Sequence, residues 1–402
     1  MSKLDELIQE LCPNGVEYRR VEDIFNTRNG YTPSKSKPEY WDNGTVPWFR
    51  MEDIREKGPI LSDSIQHVNP KAIKGNLFPA DSIIVATSAT IGQHALIKIP
   101  SLANQRFTYL MLKDEWKERY DIKFLFYYCY KLDEFCLGHL NQGNFASVDM
   151  KQFSEFKFPV PPLEVQREIV RVLDNFTFLS AELSAELSAR RKQYEYYRNE
   201  LLSFGVPTER SKIEDICNIS RGKVISKDDI KDNPGEYPVY SSQTENNGEL
   251  GKISTYMYDG EFLTWTTDGA NAGSVFYRNG KFNITNVCGL LDVDRSKADV
   301  RYLFHALTVE APKYVNKGMG NPKLMSNVMG SIKVNLPPLA IQERVANVLD
   351  NFDAICSNLD IGLPAEIDAR QKQYEYYRDL LLTFAESGST VLTDRQTDRQ
   401  TG

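Results

Sequence analysis

Apolar residues recur at every third or fourth position over two long stretches of the chain. In the first, Ile169, Leu173, Phe176, Leu183, Leu187, Tyr194, Tyr197, Leu201 and Phe204 form one seam, interrupted by Ser180 and Arg190. In the second, Val345, Leu349, Phe352, Cys356, Leu359 and Leu363 lead, after a shift of phase, to Tyr374, Tyr377, Leu381 and Phe384. The spacing predicts two long amphipathic helices, each wanting a partner helix along its seam. Pro161-Pro162 and Pro337-Pro338 suit the helix starts. Gly362 and Pro364 predict a break or kink in the second helix. The polar positions then show that one stretch occurs twice. Val-Leu-Asp-Asn-Phe fills 172–176 and 348–352, and Lys-Gln-Tyr-Glu-Tyr-Tyr-Arg closes both copies at 192–198 and 372–378. The early blocks lie 176 positions apart and the late blocks 180, so the second copy carries a stutter of four residues.

Between the repeats the pattern changes to short apolar runs bounded by turn residues. Ser82–Thr87 with Ala95–Ile99, and Glu261–Thr267 with Ser274–Tyr277, read as strands. Helical spacing returns at Ile122–Cys136, at Val300–Glu310 and over Met1–Leu11. The two intervening regions diverge in sequence yet keep one order of events. Val21-Glu-Asp-Ile24 answers to Ile213-Glu-Asp-Ile216, Asn29-Gly30 to Arg221-Gly222, Asn104 to Asn286, and Gly143-Asn144 to Gly320-Asn321. The expected fold is therefore α+β: two mixed, mainly β domains separated by two long antiparallel helices, with pseudo-twofold symmetry. The expected divisions are 1–160 and 205–336 for the domains, 161–204 and 337–385 for the helices, and a disordered tail at 386–402.

The formal net charge of −7 at first argues against nucleic acid. Its distribution changes that picture. Residues 1–160 carry 20 basic and 21 acidic side chains and residues 205–336 carry 16 of each, whereas 337–402 carry 6 against 11. Near-neutral domains leave room for one basic face each. No apolar run approaches the roughly 18 residues that cross a bilayer, so no membrane association is expected. Six scattered cysteines and four dispersed histidines suggest reduced thiols in a cytoplasm, and no metal site or cofactor is expected. No phosphate loop is present, and the nearest approach to an amino-methyltransferase signature, Asn335-Leu-Pro-Pro338, reads better as a helix start.

Taken together, the doubled helix with its Gln-Tyr-Glu-Tyr-Tyr-Arg ending resembles that of a type I restriction–modification specificity subunit. Gly30-Tyr-Thr-Pro-Ser-Lys35, Tyr40-Trp41 and Val46-Pro47-Trp48 resemble that family's first-half motif. Thr264-Trp-Thr-Thr-Asp-Gly-Ala-Asn-Ala-Gly273 resembles another version of its recognition domain. The resemblance implies a non-catalytic subunit whose two target-recognition domains read the halves of a bipartite sequence in double-stranded DNA. It implies helices that set the gap and dock two methyltransferase subunits, with motor-nuclease subunits joining for restriction. The helix 163–204 would span about 63 Å. The tandem Ser-Ala-Glu-Leu at 180–183 and 184–187 would tune the gap.

Duplex reading uses Arg and Lys for phosphates and guanine edges, and Asn and Gln for adenine edges. Such residues cluster in the predicted loops. In the first domain they are Arg28, Asn29, Thr32, Ser34, Lys35, Lys37, Thr90, Gln93, Asn104, Gln105, Arg106, Asn141, Gln142 and Asn144. In the second they are Arg221, Lys223, Ser241, Ser242, Gln243, Asn246, Thr267, Asp268, Asn271, Lys317, Asn321 and Lys323. The bland counterpart for each is a turn-capping or solvated polar residue. Tyr31, Trp41, Trp48 and Trp265 read as core rather than base-stacking residues. Gln193, Arg198, Gln373 and Arg378, identical in the two copies, are the candidate partner contacts. The competing reading is a coiled-coil scaffold whose β domains bind protein or glycan.

Overall fold

The computed structural model describes residues 3–141, 146–203, 210–318, 320–357 and 362–384. The expected disordered tail and the candidates Gln142 and Asn144 lie outside these. The chain divides into two units, Met1–Ser180 with Arg370–Gly402, and Ala181–Ala369. Each combines a mixed, mainly β domain with parts of the repeated helices, as the α+β reading anticipated.

The strands follow one plan in both units. In the first, Phe25–Asn29, Phe107–Leu112, Ser82–Ala86 and His94–Ile97 lie side by side in that order. In the second the order is Cys217–Arg221, Cys288–Val293, Tyr258–Thr266 and Val275–Ile284. A parallel strand comes after the same proline in each: Trp48 pairs with Leu102 and Phe49 with Ala103, as Val239 pairs with Asn283 and Tyr240 with Ile284. Ahead of the sheet, Val21–Ile24 and Ile213–Ile216 form single helical turns whose first and last residues are all buried. Fully burying such a branched side chain stabilises the fold by about 1.5–3 kcal/mol. Helices Ile122–Gly138 and Val300–Glu310 start where Asp121 and Asp299 accept backbone N–H bonds, and both pack on their sheets.

The first repeat copy is one unbroken helix, Leu163–Ser203. The second forms two helices, Leu339–Ser357 and Leu363–Leu381. Pro364 sits in the opening turn of the latter, where its missing N–H costs nothing. In the first unit the head of copy one meets the tail of copy two: Phe176 stacks on Tyr377 with ring centroids 5.7 Å apart. In the second unit the roles exchange, and Tyr197 stacks on Phe352 at 5.8 Å.

Two polar residues of the repeat fasten each sheet domain to its helix. Gln166 is fully buried; its Oε1 accepts from Asp121 N–H at 2.8 Å and its Nε2 donates to Arg119 O at 2.8 Å and Pro161 O at 2.7 Å. Gln342, equally buried, accepts from Asp299 N–H at 2.8 Å and donates to Lys297 O at 3.2 Å and Pro337 O at 2.7 Å. Asp174 accepts from Lys123 at 2.6 Å and Tyr127 at 2.7 Å. Asp350 takes Arg301 at 2.9 Å and His305 at 2.8 Å in the same manner. All six cysteines are buried and free.

Candidate nucleic-acid interface

One edge of each sheet is built by the same backbone closure. Gly30 N–H donates to Phe107 O at 2.9 Å, and a Cβ added there would sit 2.3 Å from Asn104 O. Gly222 N–H donates to Cys288 O at 3.3 Å, and a Cβ there would sit 2.1 Å from Ile284 O. Only glycine permits this approach. Beside it, Thr87 N–H donates to Arg106 O at 2.9 Å, Val148 N–H to Thr87 O at 2.9 Å, and Ala89 N–H to Ala146 O at 3.0 Å. Thr267 to Val287 at 3.2 Å, Leu324 to Thr267 at 2.9 Å, and Gly269 to Pro322 at 3.0 Å reproduce the three bonds in the second domain. Loops distant in sequence are thereby gathered at one place in each sheet.

In the first domain the gathered loops line a cleft of about 650 Å³. Thr32, Lys35, Asn104, Gln105 and Arg106 meet there, with Trp41, Trp48 and Arg50 as further walls. The Thr32 hydroxyl donates to the Gln105 side-chain oxygen. Trp41 and Trp48 meet edge to face at 5.1 Å, and their ring N–H groups bond Ser34 O and Tyr31 O at 3.1 and 3.0 Å. They are packing residues that also floor the cleft. Ser34 and Lys37 lie exposed on the same loop. Thr90, Gln93 and Asn141 belong to the adjoining cluster, where Asn141 N–H donates to Ser147 O at 2.9 Å. Arg28 and Asn29 are engaged locally: the Arg28 guanidinium lies 4.0 Å from the Phe78 ring and bonds Asn76 O, and the Asn29 side-chain oxygen accepts from Thr108 at 2.9 Å.

In the second domain Arg221 and Lys323 face one carboxylate, Asp268, at 3.7 and 3.6 Å. Thr267 is fully buried and its hydroxyl joins Arg221, Asp268 and Val287, so it braces the cluster from beneath. Asn271 donates to Thr244 at 2.9 Å, joining two loops. Ser241, Ser242, Gln243 and Asn246 form a loop closed by Ser241 N–H to Gly248 O at 3.0 Å. Lys223, Lys317 and Asn321 are exposed around these. Trp265 is core: it is fully buried over Gly289, and its N–H bonds Leu324 O at 3.0 Å.

Of the candidate partner contacts, Gln193 and Gln373 lie on the helix surface, each accepting from an arginine one turn earlier, Arg190 at 3.1 Å and Arg370 at 3.2 Å. Arg378 turns inward: its guanidinium lies 4.4 Å from the Tyr130 ring and its side chain is 13% exposed. Arg198 sits 5.4 Å from the Tyr194 ring with a buried Nε. What the repeat does present outward is aromatic. Tyr196 and Tyr376 are 62% and 65% exposed, and each stands edge to face with the next tyrosine at 5.4 and 5.3 Å. The repeated ending already contained them. Arg50 was missed as well, although it comes after Val46-Pro47-Trp48-Phe49 as Ser241 comes after Tyr237-Pro238-Val239-Tyr240.

Two sheets of one plan, each with polar loops at the same edge and tied to a duplicated helix, define a paired recognition module. The chain belongs to the type I restriction modification DNA specificity domain family, whose model matches residues 13–190 and 206–369. It is 41% identical over 378 residues to the type I restriction enzyme EcoprrI specificity subunit of Escherichia coli, covering 89% of this chain and 93% of that one. A putative type I specificity subunit of Mycoplasma pneumoniae is 46% identical over 239 residues, 57% of this chain and 94% of its own. The fold is shared, at 15% identity, with a chain solved for complex assembly and conformational transition of the type I R-M system, with a TM-score of 0.63 over 92% of this chain and 98% of that one. A type I restriction-modification system S subunit from M. genitalium gives a TM-score of 0.53 at 15% identity over 91% and 95%. Among the described residues, no helix is long and apolar enough to cross a membrane.

Proposed function

We propose that this chain reads a bipartite duplex target, the first domain taking one half-site and the second the other. The observation that carries this reading is the repeated backbone closure, which gathers Asn, Gln, Arg, Lys and Ser side chains at the same edge of two like sheets. Such side chains match base edges and phosphates. The subunit is non-catalytic and cytoplasmic in this reading; methyl transfer and restriction come from two methyltransferase subunits and from motor-nuclease subunits. Gln193, Gln373 and the exposed Tyr196 and Tyr376 form two like docking surfaces for the methyltransferases, and Arg198 and Arg378 hold those surfaces from within. Tyr196→Ser combined with Tyr376→Ser is expected to abolish co-purification while leaving the thermal midpoint within a few degrees; undiminished co-purification refutes the docking surface.

Methylation-sensitive sequencing of DNA from cells expressing the complex tests the main reading. The expected motif has two fixed halves around an unread gap, and an uninterrupted motif would sink it. Deleting one Ser-Ala-Glu-Leu unit removes about 6 Å of helix, against a base-pair rise of about 3.4 Å. The gap is expected to shorten by one or two base pairs.

A further inference from the structure

Arg278 lies in the middle of a strand and is 3% exposed. It pairs across the sheet with Phe262, the register at which Ile97 of the first domain pairs with Ser82. Ile97 is fully buried and apolar, so this frame does not require a charge there. Among the described residues Arg278 makes no ion pair. Its Nε donates to the Thr264 hydroxyl at 3.1 Å, its guanidinium stacks 3.5 Å from the Tyr240 ring centroid, and one of its nitrogens, Nη1, has no hydrogen-bond partner. Burial lowers its pKa from the ordinary arginine value, the direction expected for a cation stripped of water.

The remaining nitrogen, Nη2, donates to Asn247 O at 2.9 Å. That carbonyl belongs to the loop 241–248, which carries Ser241, Ser242, Gln243 and Asn246. The loop is itself strained: Asn246 and Asn247 take φ of 48° and 52°, two successive left-handed residues without glycine. Such backbone persists only where its surroundings hold it. Gly248 packs so closely that a Cβ there would lie 3.1 Å from Nη2.

We propose that Arg278 is a positioning residue for specificity, a buried cation that clamps loop 241–248 in the shape that reads the second half-site. This rests on the reading of the second domain given above. The clamp acts on one half of the target only, because the first domain has hydrocarbon at the same register.

The test uses the whole chain, co-expressed with its methyltransferase in cells lacking DNA methylation of their own, with the methylated motif read by single-molecule sequencing. A wild-type motif without two halves overturns the functional reading and this inference with it. Given a bipartite wild-type motif, Arg278→Ile installs the residue of the first domain and is expected to fold, since the same frame already holds isoleucine at that register. It is expected to leave the first half-site and gap unchanged and to raise methylation at mismatched second half-sites at least tenfold. Arg278→Lys keeps the charge but cannot bond Thr264 and Asn247 together, and is expected to relax the same positions less. An unchanged motif in both variants overturns the clamp. Loss of both half-sites, or of the chain itself, in both variants also overturns it, because Arg278 then serves the sheet as a whole.

Discussion

Ile97 and Arg278 hold the same register in two sheets of the same strand order, one sealed in hydrocarbon and the other carrying a charge. The same division runs through both domains. Strand order, the Gly30 and Gly222 closures, and the clamps of Gln166 and Gln342 are common to the two. The segment beyond the parallel strand differs. After Phe49 the first domain continues into the helix Met51–Lys57 beside an aromatic cleft, whereas after Tyr240 the second forms a strained loop over a buried cation. The difference teaches that the frame fixes where reading loops stand and leaves their chemistry free.

The common frame is the first thing to break. Gln166→Leu and Gln342→Leu each strip the partner from three backbone groups, of which Pro161 O and Pro337 O are buried and cost about 1–3 kcal/mol when left unpaired. Each is expected to lower the stability of its own unit by about 2–3 kcal/mol, and by like amounts in the two, as calorimetry would measure. A large loss from one and none from the other would show that the units are not fastened alike.

The private loops come next. Gln105→Ala and Arg106→Ala are expected to weaken discrimination at the first half-site by about 1–3 kcal/mol each while leaving the second untouched, measured by binding to duplexes altered in one half. Lost discrimination in both halves would contradict the division of labour. A smaller asymmetry lies in the backbone. Ala89 takes φ of 65° where Gly269 takes 98°, so Ala89→Gly is expected to stabilise the first unit by up to about 1 kcal/mol in chemical denaturation.

The smallest expected effect depends on pH. His305 occupies the place against Asp350 that Tyr127 occupies against Asp174. Burial pushes its pKa below the ordinary 6.5, outweighing the opposing pull of Asp350. The unfolded chain therefore takes up a proton first as pH falls through 6.5, so this contribution is present above that value and is lost below it. His305→Tyr should remove that part of the acid sensitivity from the second unit, read as unfolding midpoints between neutral and mildly acidic pH.

Much of the frame was legible from the chain. A seam of period 3.6 announced the helices, and identical blocks such as Val172–Phe176 and Val348–Phe352 announced the duplication. The order of turns and glycines aligned the two domains before any strand was placed. The direction taken by long side chains was not legible. Arg198 and Arg378 each lie against a tyrosine of their own unit, and local spacing does not say which way a flexible stem folds. Arg278 sits in an ordinary alternating strand, and only its cross-strand register exposes it as an oddity.

The exchange of helix ends has a consequence for how the polypeptide is made. The second unit is one continuous segment, Ala181–Ala369, whereas the first needs Arg370 onward to close. Tyr18 donates to Phe384 O across 366 positions of sequence. During synthesis the domain that leaves the ribosome first is thus finished last, and its side of Phe176 and Tyr130 stays open to solvent until the final turns arrive. The later-born unit can be whole while the elder still waits for its last piece.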